Sequence, residues 1–241
     1  MIDPNVASHE HTAAERIDPR QAVGPQLCGV MRDQIIRGEL APGSRLLRTE
    51  IATKFGISRQ PVSDACARLA EEGLVDILPQ RGTFVSRINV SAVLSARFVR
   101  ESVEVEIVRR LAAERSTAML DECARLLEEQ RRQIDTPDQL PFMALDEAFH
   151  FHLSRSAGQA AAWRILQPLK TQMDRLRHIS ARELPRRLLI EQHETFVDAI
   201  GRRNPEAAVA GMRDHLRQML DDLPALIESH ADYFDTRGAV L

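Results

Sequence analysis

Aromatic residues are scarce in this 241-residue chain, which has one Trp, one Tyr and eight Phe, 4% in all. Strands draw on aromatic and β-branched side chains, so the shortage argues against a sheet protein, and abundant Ala, Leu, Arg and Glu argue for helices. Cysteine is almost missing too. Cys28, Cys66 and Cys123 are odd in number, far apart and in no CxxC spacing, which argues against a disulfide framework or a cysteine zinc site and for small buried side chains. No apolar run approaches the roughly 18 residues that a spanning helix needs, and no basic start is followed by an apolar stretch. The chain is therefore expected in the cytoplasm. Internal repeats and low-complexity tracts are absent as well.

Apolar residues make up 44% and charged residues 28%, values typical of a folded protein, and the length suits two domains with separate cores. The formal charge of −3 hides an asymmetry. Residues 20–87 hold ten basic and seven acidic side chains and are the only basic segment; residues 1–19 and 88–241 are each net negative. A basic segment points weakly to a polyanionic partner.

Residues 1–19 show no periodicity and are expected to be a mobile arm in which His9 and His11 are solvent-exposed. A helix is expected over 26–37, with Leu27, Val30, Met31 and Gln34/Ile35 turned inward and Gly38 as its stop. A second runs over 48–55 and ends at Gly56. Ser58 can cap a third over 59–71, which buries Val62, Ala65 and Leu69. Strands follow at 74–78 and 83–86, joined by Pro79-Gln80-Arg81-Gly82. A helix-turn-helix followed by a hairpin is a winged helix. After Arg87 strand signals vanish, and helices are expected at 91–115, 117–134, 137–155, 159–181, 185–203 and 205–231. Thr136-Pro137 and Asn204-Pro205 each read as a cap followed by Pro at the first helical position. The fold class is thus mainly α: a winged helix-turn-helix (20–87) followed by an all-α six-helix bundle (88–241).

A helix of this kind fits the major groove and reads base edges with its first turn, which here offers Arg59, Gln60 and Ser63. Arg59 is the strongest candidate, because a forked Arg–guanine contact discriminates by about 1–3 kcal/mol. Pro42-Gly43-Ser44-Arg45-Leu46, Gly56-Ile57-Ser58-Arg59-Gln60-Pro61-Val62, Glu72-Gly73-Leu74-Val75 and Arg81-Gly82-Thr83-Phe84-Val85 together resemble the DNA-binding domain of GntR-family transcription regulators. The resemblance implies docking on double-stranded operator DNA, with Ser58 and Arg59 at the helix start and Arg81, Gly82 and Thr83 as the wing tip in the minor groove. The family's usual arginines are replaced by Thr49 and Ser63, and Arg48 is a candidate substitute near Thr49. Fewer arginines imply a shallower salt dependence.

Asp146 and His150 are four apart and share a helix face, a spacing suited to two ligands of one ion. His193 and His215 lie ten and eleven residues either side of the turn at Arg203-Asn204, so antiparallel helices set them side by side. Three imidazoles and a carboxylate suit Zn²⁺ and also accept Ni²⁺ or Mn²⁺. Arg100-Glu101-Ser102-Val103-Glu104, Phe149-His150 and Met212-Arg213-Asp214-His215-Leu216 resemble the metal-containing FCD effector domains of the FadR-like subgroup of that family. The resemblance implies a homodimer, usually a repressor, controlled by a small organic acid at the metal. It also implies that Arg100 pairs with the effector carboxylate; a salt bridge to Glu104 is the competing reading. Arg175, Arg177 and His178 are expected on a cavity-lining helix, and His152 and His230 are expected to be surface or satisfied residues. Increased disorder near Ser86–Val90 is one expected route of signalling. The alternatives are a metal-dependent enzyme acting on a small organic acid, which lacks an evident acid or base because Glu147, Glu191 and Glu194 are poorly placed, and a direct metal sensor.

Overall fold

The computed structural model describes residues 17–114, 116–180 and 186–239. Two compact units divide the chain, residues 1–87 and 88–241. His9 and His11 lie outside the described residues. The end of the expected arm is anchored: Ile17 packs against the first unit's core, and the Asp18 amide donates to Gln26 Oε1 at 2.8 Å.

The first unit consists of α1 (Val23–Ile36), β1 (Arg45–Leu46), α2 (Arg48–Phe55), α3 (Arg59–Glu71), β2 (Val75–Leu78) and β3 (Gly82–Val85). Helix α1 begins three residues earlier than periodicity suggests. Its inward stripe, Leu27, Cys28, Met31 and Ile35, meets Val62, Ala65, Cys66 and Leu69 of α3. Gly56 ends α2 with a left-handed backbone, φ 64°, where a side chain would be strained. Ser58 holds the N-cap position of α3 without a side-chain cap bond. The wing is the antiparallel pair β2–β3, with Val75 opposite Val85 and Leu78 opposite Gly82. Strand β1, too short to show alternation, adds to the free edge of β3 and pairs Arg45 with Phe84. Ser86 closes this unit, its amide donating to the Leu74 carbonyl and its hydroxyl to that of Gly73.

The second unit contains α4 (Val90–Glu114), α5 (Thr117–Arg132), α6 (Leu140–Ser156), α7 (Ala160–Ser180), α8 (Arg186–Gly201) and α9 (Pro205–Ser229). The all-α expectation needs one correction. Residues Ile88–Asn89 (β4) pair in parallel with Phe234–Asp235 (β5), which ties down the start of the second unit. Two residues of strand carry no detectable period. Helix α6 starts at Leu140 instead of 137, because the single proton of the Thr136 hydroxyl is shared between the Gln133 and Asp138 carbonyls and holds a turn there. Asn204 does cap α9, accepting from the Ala207 amide at 3.1 Å.

Helix α4 packs along α7 and α9, and α8 packs on α5 and α9. Gly211 of α9 sets how closely α8 approaches: a Cβ there would lie 3.0 Å from Phe196 Cβ. All three cysteines are buried and unpaired. Among the described residues no helix is long and apolar enough to cross a membrane.

Candidate metal centre and nucleic-acid interface

Asp146 and His150 of α6, His193 of α8 and His215 of α9 are all buried, at 0%, 1%, 0% and 6% exposure. The three histidines present ligand nitrogens within 4.8 Å of one another. His193 Nε2 stands 3.3 Å from His215 Nε2, and Asp146 Oδ1 lies 3.5 Å from His193 Nε2 and 4.0 Å from His150 Nε2.

The outer nitrogen of each ring faces an acceptor oxygen. His150 Nδ1 is 2.7 Å from Glu104 Oε2, His193 Nδ1 is 3.3 Å from Gln130 Oε1, and His215 Nδ1 is 3.1 Å from Gln192 Oε1. An oxygen beside Nδ1 favours the proton there and leaves the Nε2 lone pair for a metal, the arrangement in which proteins present histidine to an ion; the His150–Glu104 contact has ion-pair distance without hydrogen-bond geometry. Asp146 Oδ1 and His150 Nε2 are buried with no hydrogen-bond partner. A divalent cation would satisfy both. The donor set therefore fits such an ion on chemistry as well as spacing.

Electrostatics keep the ligands in their binding forms. Burial pushes the His193 imidazole down to about 3, and burial with the neighbouring rings holds His215 well below the usual histidine range. Burial alone would raise Asp146, but Arg177 and the three histidines outweigh it and hold the carboxyl well below its ordinary value. Arg177 Nη2 donates to Asp146 Oδ2 at 2.6 Å, leaving Oδ1 for the cluster. Burial likewise opposes ionisation of Glu104, and Arg100 with His150 brings it down to about 2.

A cavity of about 40 Å³ opens beside the cluster, lined by Arg100, Arg177, His215 and Gln218 together with Met173, Leu189, Leu216 and Met219. Of the two readings of Arg100, the salt bridge to Glu104 is the one present. Its Nε donates to Glu104 Oε1, while Nη2 is buried without a partner. Glu147 is engaged by Lys170 and Gln167, and Glu194 by Arg131. His152 is buried, with Nε2 3.0 Å from the Met119 carbonyl oxygen.

In the first unit a groove of about 410 Å³ is lined by Arg45, Arg48, Thr49, Arg59, Ser63, Gly82 and Thr83. Arg48 Nη1 donates to Ser63 Oγ at 3.2 Å, which in turn donates to the Arg59 carbonyl. Gln60 Nε2 donates to Asp64 Oδ1. Arg59 and Arg81 are exposed. Thr83 is buried at 4% exposure, so its side chain is withheld from the wing surface.

Residues 26–85 match the bacterial regulatory proteins of the gntR family, and residues 96–218 match the FCD domain. The chain belongs to the GntR family. It is 31% identical over 224 residues to the HTH-type transcriptional repressor RspR of Escherichia coli K12, covering 92% of this chain and 98% of the relative. It is 34% identical over 213 residues to an HTH-type transcriptional regulator in an unstable DNA locus of Streptomyces ambofaciens, covering 88% and 89%. The fold is similar to that of a GntR transcriptional regulator from Rhodococcus sp. RHA1, with a TM-score of 0.68, 24% identity, and coverage of 84% of this chain and 98% of the other. These are transcription regulators, and this GntR protein is one too, not an enzyme.

Sequence reasoning about this GntR chain passed over Arg45, Gln130, Gln192 and Gln218. Gln218 stands three residues after His215, on the same helix face, and that spacing was a usable signal. Arg45 sits on the two-residue strand β1, where no pattern announces its direction. Across the ladder, a Cβ on Gly82 would lie 3.1 Å from Arg45 Nε, so the bare glycine at φ 119° leaves room for that guanidinium.

Proposed function

We propose that this GntR regulator is a cytoplasmic homodimeric repressor that binds operator DNA through residues 20–87. A small organic acid, bound at a divalent-metal centre in residues 88–241, alters that binding. The observation that carries the reading is the inward turn of three imidazole Nε2 atoms, each ring backed by an acceptor oxygen on Nδ1. His150, His193, His215 and Asp146 would hold the ion. Zn²⁺ suits three imidazoles and a carboxylate; Ni²⁺ and Mn²⁺ accept the same donors. The ion would supply a fixed positive charge with open positions for an anionic ligand, and Arg100 Nη2 would take one oxygen of its carboxylate.

On the DNA side Arg59, with Gln60 and Ser63, reads base edges from the start of α3 at Ser58. Arg48, Thr49 and Arg45 hold phosphates along the groove, and Arg81 with Gly82 forms the wing tip, the buried Thr83 lining the groove behind it. Two copies are needed to span two half-sites. A ligand changes operator affinity only by its preference for one arrangement of the dimer, typically about 1–3 kcal/mol.

The test selects an operator from a random duplex pool, then measures its release from the zinc-loaded protein by fluorescence anisotropy against a panel of small carboxylates. Release by one acid, lost when His193 and His215 are both replaced by Ala, supports the reading. Release that is unaltered by replacement of all four ligands removes the pocket from the mechanism. The small cavity favours a second reading, direct metal sensing, in which zinc and chelator alone switch DNA binding with no acid present.

A further inference from the structure

Two glutamines join the histidine cluster to the neighbouring cavity. His215 Nδ1 lies 3.1 Å from Gln192 Oε1, Gln192 Nε2 donates to Gln218 Oε1 at 3.4 Å, and Gln218 lines the cavity. Every link in this chain has a direction. A neutral imidazole has one N–H, so with a cation taking the His215 Nε2 lone pair the proton belongs on Nδ1 and is given to the Gln192 oxygen. That contact commits the Gln192 amide: its oxygen is used at the histidine, and its NH₂ points to Gln218. The Gln218 oxygen is used in turn. Only its NH₂ remains free.

We propose that Gln192 and Gln218 form a hydrogen-bond relay that holds Gln218 with its donor end toward the cavity, and that Gln218 is a specificity-determining residue for a carboxylate ligand. The inference rests on the metal reading above, because a cation at His215 Nε2 is what keeps the proton on Nδ1. Arg100, Arg177 and His215 are the other polar side chains lining the cavity, and Arg100 has the same sign as the Gln218 amide: its Nη2 is buried, donor-only and without a hydrogen-bond partner. A ligand with only acceptors satisfies both, whereas an amine or an alcohol N–H or O–H directed at either would find no acceptor. At about 40 Å³, the cavity has room for roughly three waters, the size of a carboxylate head. The relay also gives the ion and the ligand a shared dependence, since loss of the Gln192 link frees the Gln218 amide to turn its oxygen inward.

The full-length protein loaded with Co²⁺, whose visible absorption reports its ligands, is titrated with acetate as the probe. Gln218→Met keeps the side chain's length and removes its donors. Its acetate Kd is expected to rise about tenfold, while cobalt affinity, measured by chelator competition, stays within about twofold. Gln192→Met is expected to weaken cobalt about tenfold, as loss of a metal ligand's partner does, and to weaken acetate as much as Gln218→Met. The double variant is expected to lose no more acetate affinity than either single one, the non-additivity of residues acting as one unit. Gln218→Glu, which places an anion at the cavity, is expected to abolish acetate binding and keep cobalt. An unchanged acetate Kd in Gln218→Met, fully additive losses in the double variant, or a cobalt spectrum indifferent to acetate in the unmodified protein overturns the relay. Failure of the unmodified protein to take up cobalt overturns the metal reading itself, a distinct result.

Discussion

His193 and His215 point their Nε2 atoms at each other across 3.3 Å, from helices α8 and α9 that leave the same turn at Arg203. Their Nδ1 atoms are occupied by the oxygens of Gln130 and Gln192. Both rings are neutral at pH 7, since burial holds each below the usual histidine range. With the proton of each ring on Nδ1, two lone pairs face each other in a buried site, and a shared cation would turn that repulsion into two bonds.

Metal removal should therefore cost stability. At a free zinc concentration one hundred times the Kd, binding adds about 2.7 kcal/mol to the folded state, which for a protein of this size is a rise of several degrees in Tm. His193→Ala and His215→Ala are each expected to erase the zinc-dependent rise while leaving the chelated protein folded. A zinc-dependent Tm that survives either substitution would show that the ion binds elsewhere. Calorimetry with and without chelator makes the measurement.

The chelated protein should also be sensitive to mild acid. His193 titrates near 3 in the folded chain and near 6.5 when unfolded, so between these values the unfolded state binds the extra proton. Stability is whole above pH 6.5 and falls as pH drops toward 3, by up to about 1.4 kcal/mol per pH unit for each such group. His215 moves in the same direction. Glu104, held at about 2, adds its own loss only below about 4.5. Urea midpoints of the chelated protein should drop as pH falls from 7 toward 3, and His193→Gln should make that whole fall shallower, leaving the share due to His215.

Most of this was legible beforehand, for identifiable reasons. Helix limits from α2 onward came from strong punctuation, such as Gly56, Gly73 and Asn204-Pro205, and the histidine pairing came from counting residues either side of one turn. What escaped was short or unpatterned. The two-residue strands β1 and β4 carry no alternation, and the Thr136 hydroxyl was spent on a turn before α6 instead of on its first amides. Glutamine partners such as Gln130 and Gln192 have no spacing of their own, because a residue that backs a ligand is placed by tertiary packing. Thr83 was assigned to the wing surface by its neighbours in sequence, and β-alternation buried it.

Arg59 and Arg45 should separate by assay. Arg59 at the exposed start of α3 is expected to read a base: Arg59→Ala should cost about 1–3 kcal/mol on the selected operator and relax preference at one position. Arg45 is expected to hold a phosphate: Arg45→Ala should weaken every sequence alike and lower the salt slope by about 1. Gly82→Ala links the two sides of that groove. The backbone at φ 119° disfavours a side chain by about 1–3 kcal/mol, and a Cβ 3.1 Å from Arg45 Nε displaces the guanidinium. It should show the Arg45→Ala salt slope on top of a lower Tm. A Gly82→Ala protein with undiminished non-specific binding would detach Arg45 from the DNA.

Arg100 calls for a substitution that separates its two engagements. Its Nε holds Glu104, which is buried at 2% exposure against His150. Arg100→Ala would strand that carboxylate, and breaking a buried pair costs about 3–5 kcal/mol, so a loss of ligand response in that variant would report unfolding as readily as recognition. Arg100→Lys retains a charge for Glu104 and gives up the second nitrogen at the cavity. It is expected to melt within a few degrees of the unmodified protein and to lose about tenfold in affinity for the carboxylate that releases the operator. The paired variant Arg100→Met with Glu104→Leu removes both charges together and should recover most of the stability lost in Arg100→Ala, while leaving His150 without its backing oxygen and zinc bound more weakly. If Arg100→Lys instead responds to the acid with unchanged affinity, the guanidinium serves only to neutralise Glu104, and the ligand is held by the metal and Gln218 alone.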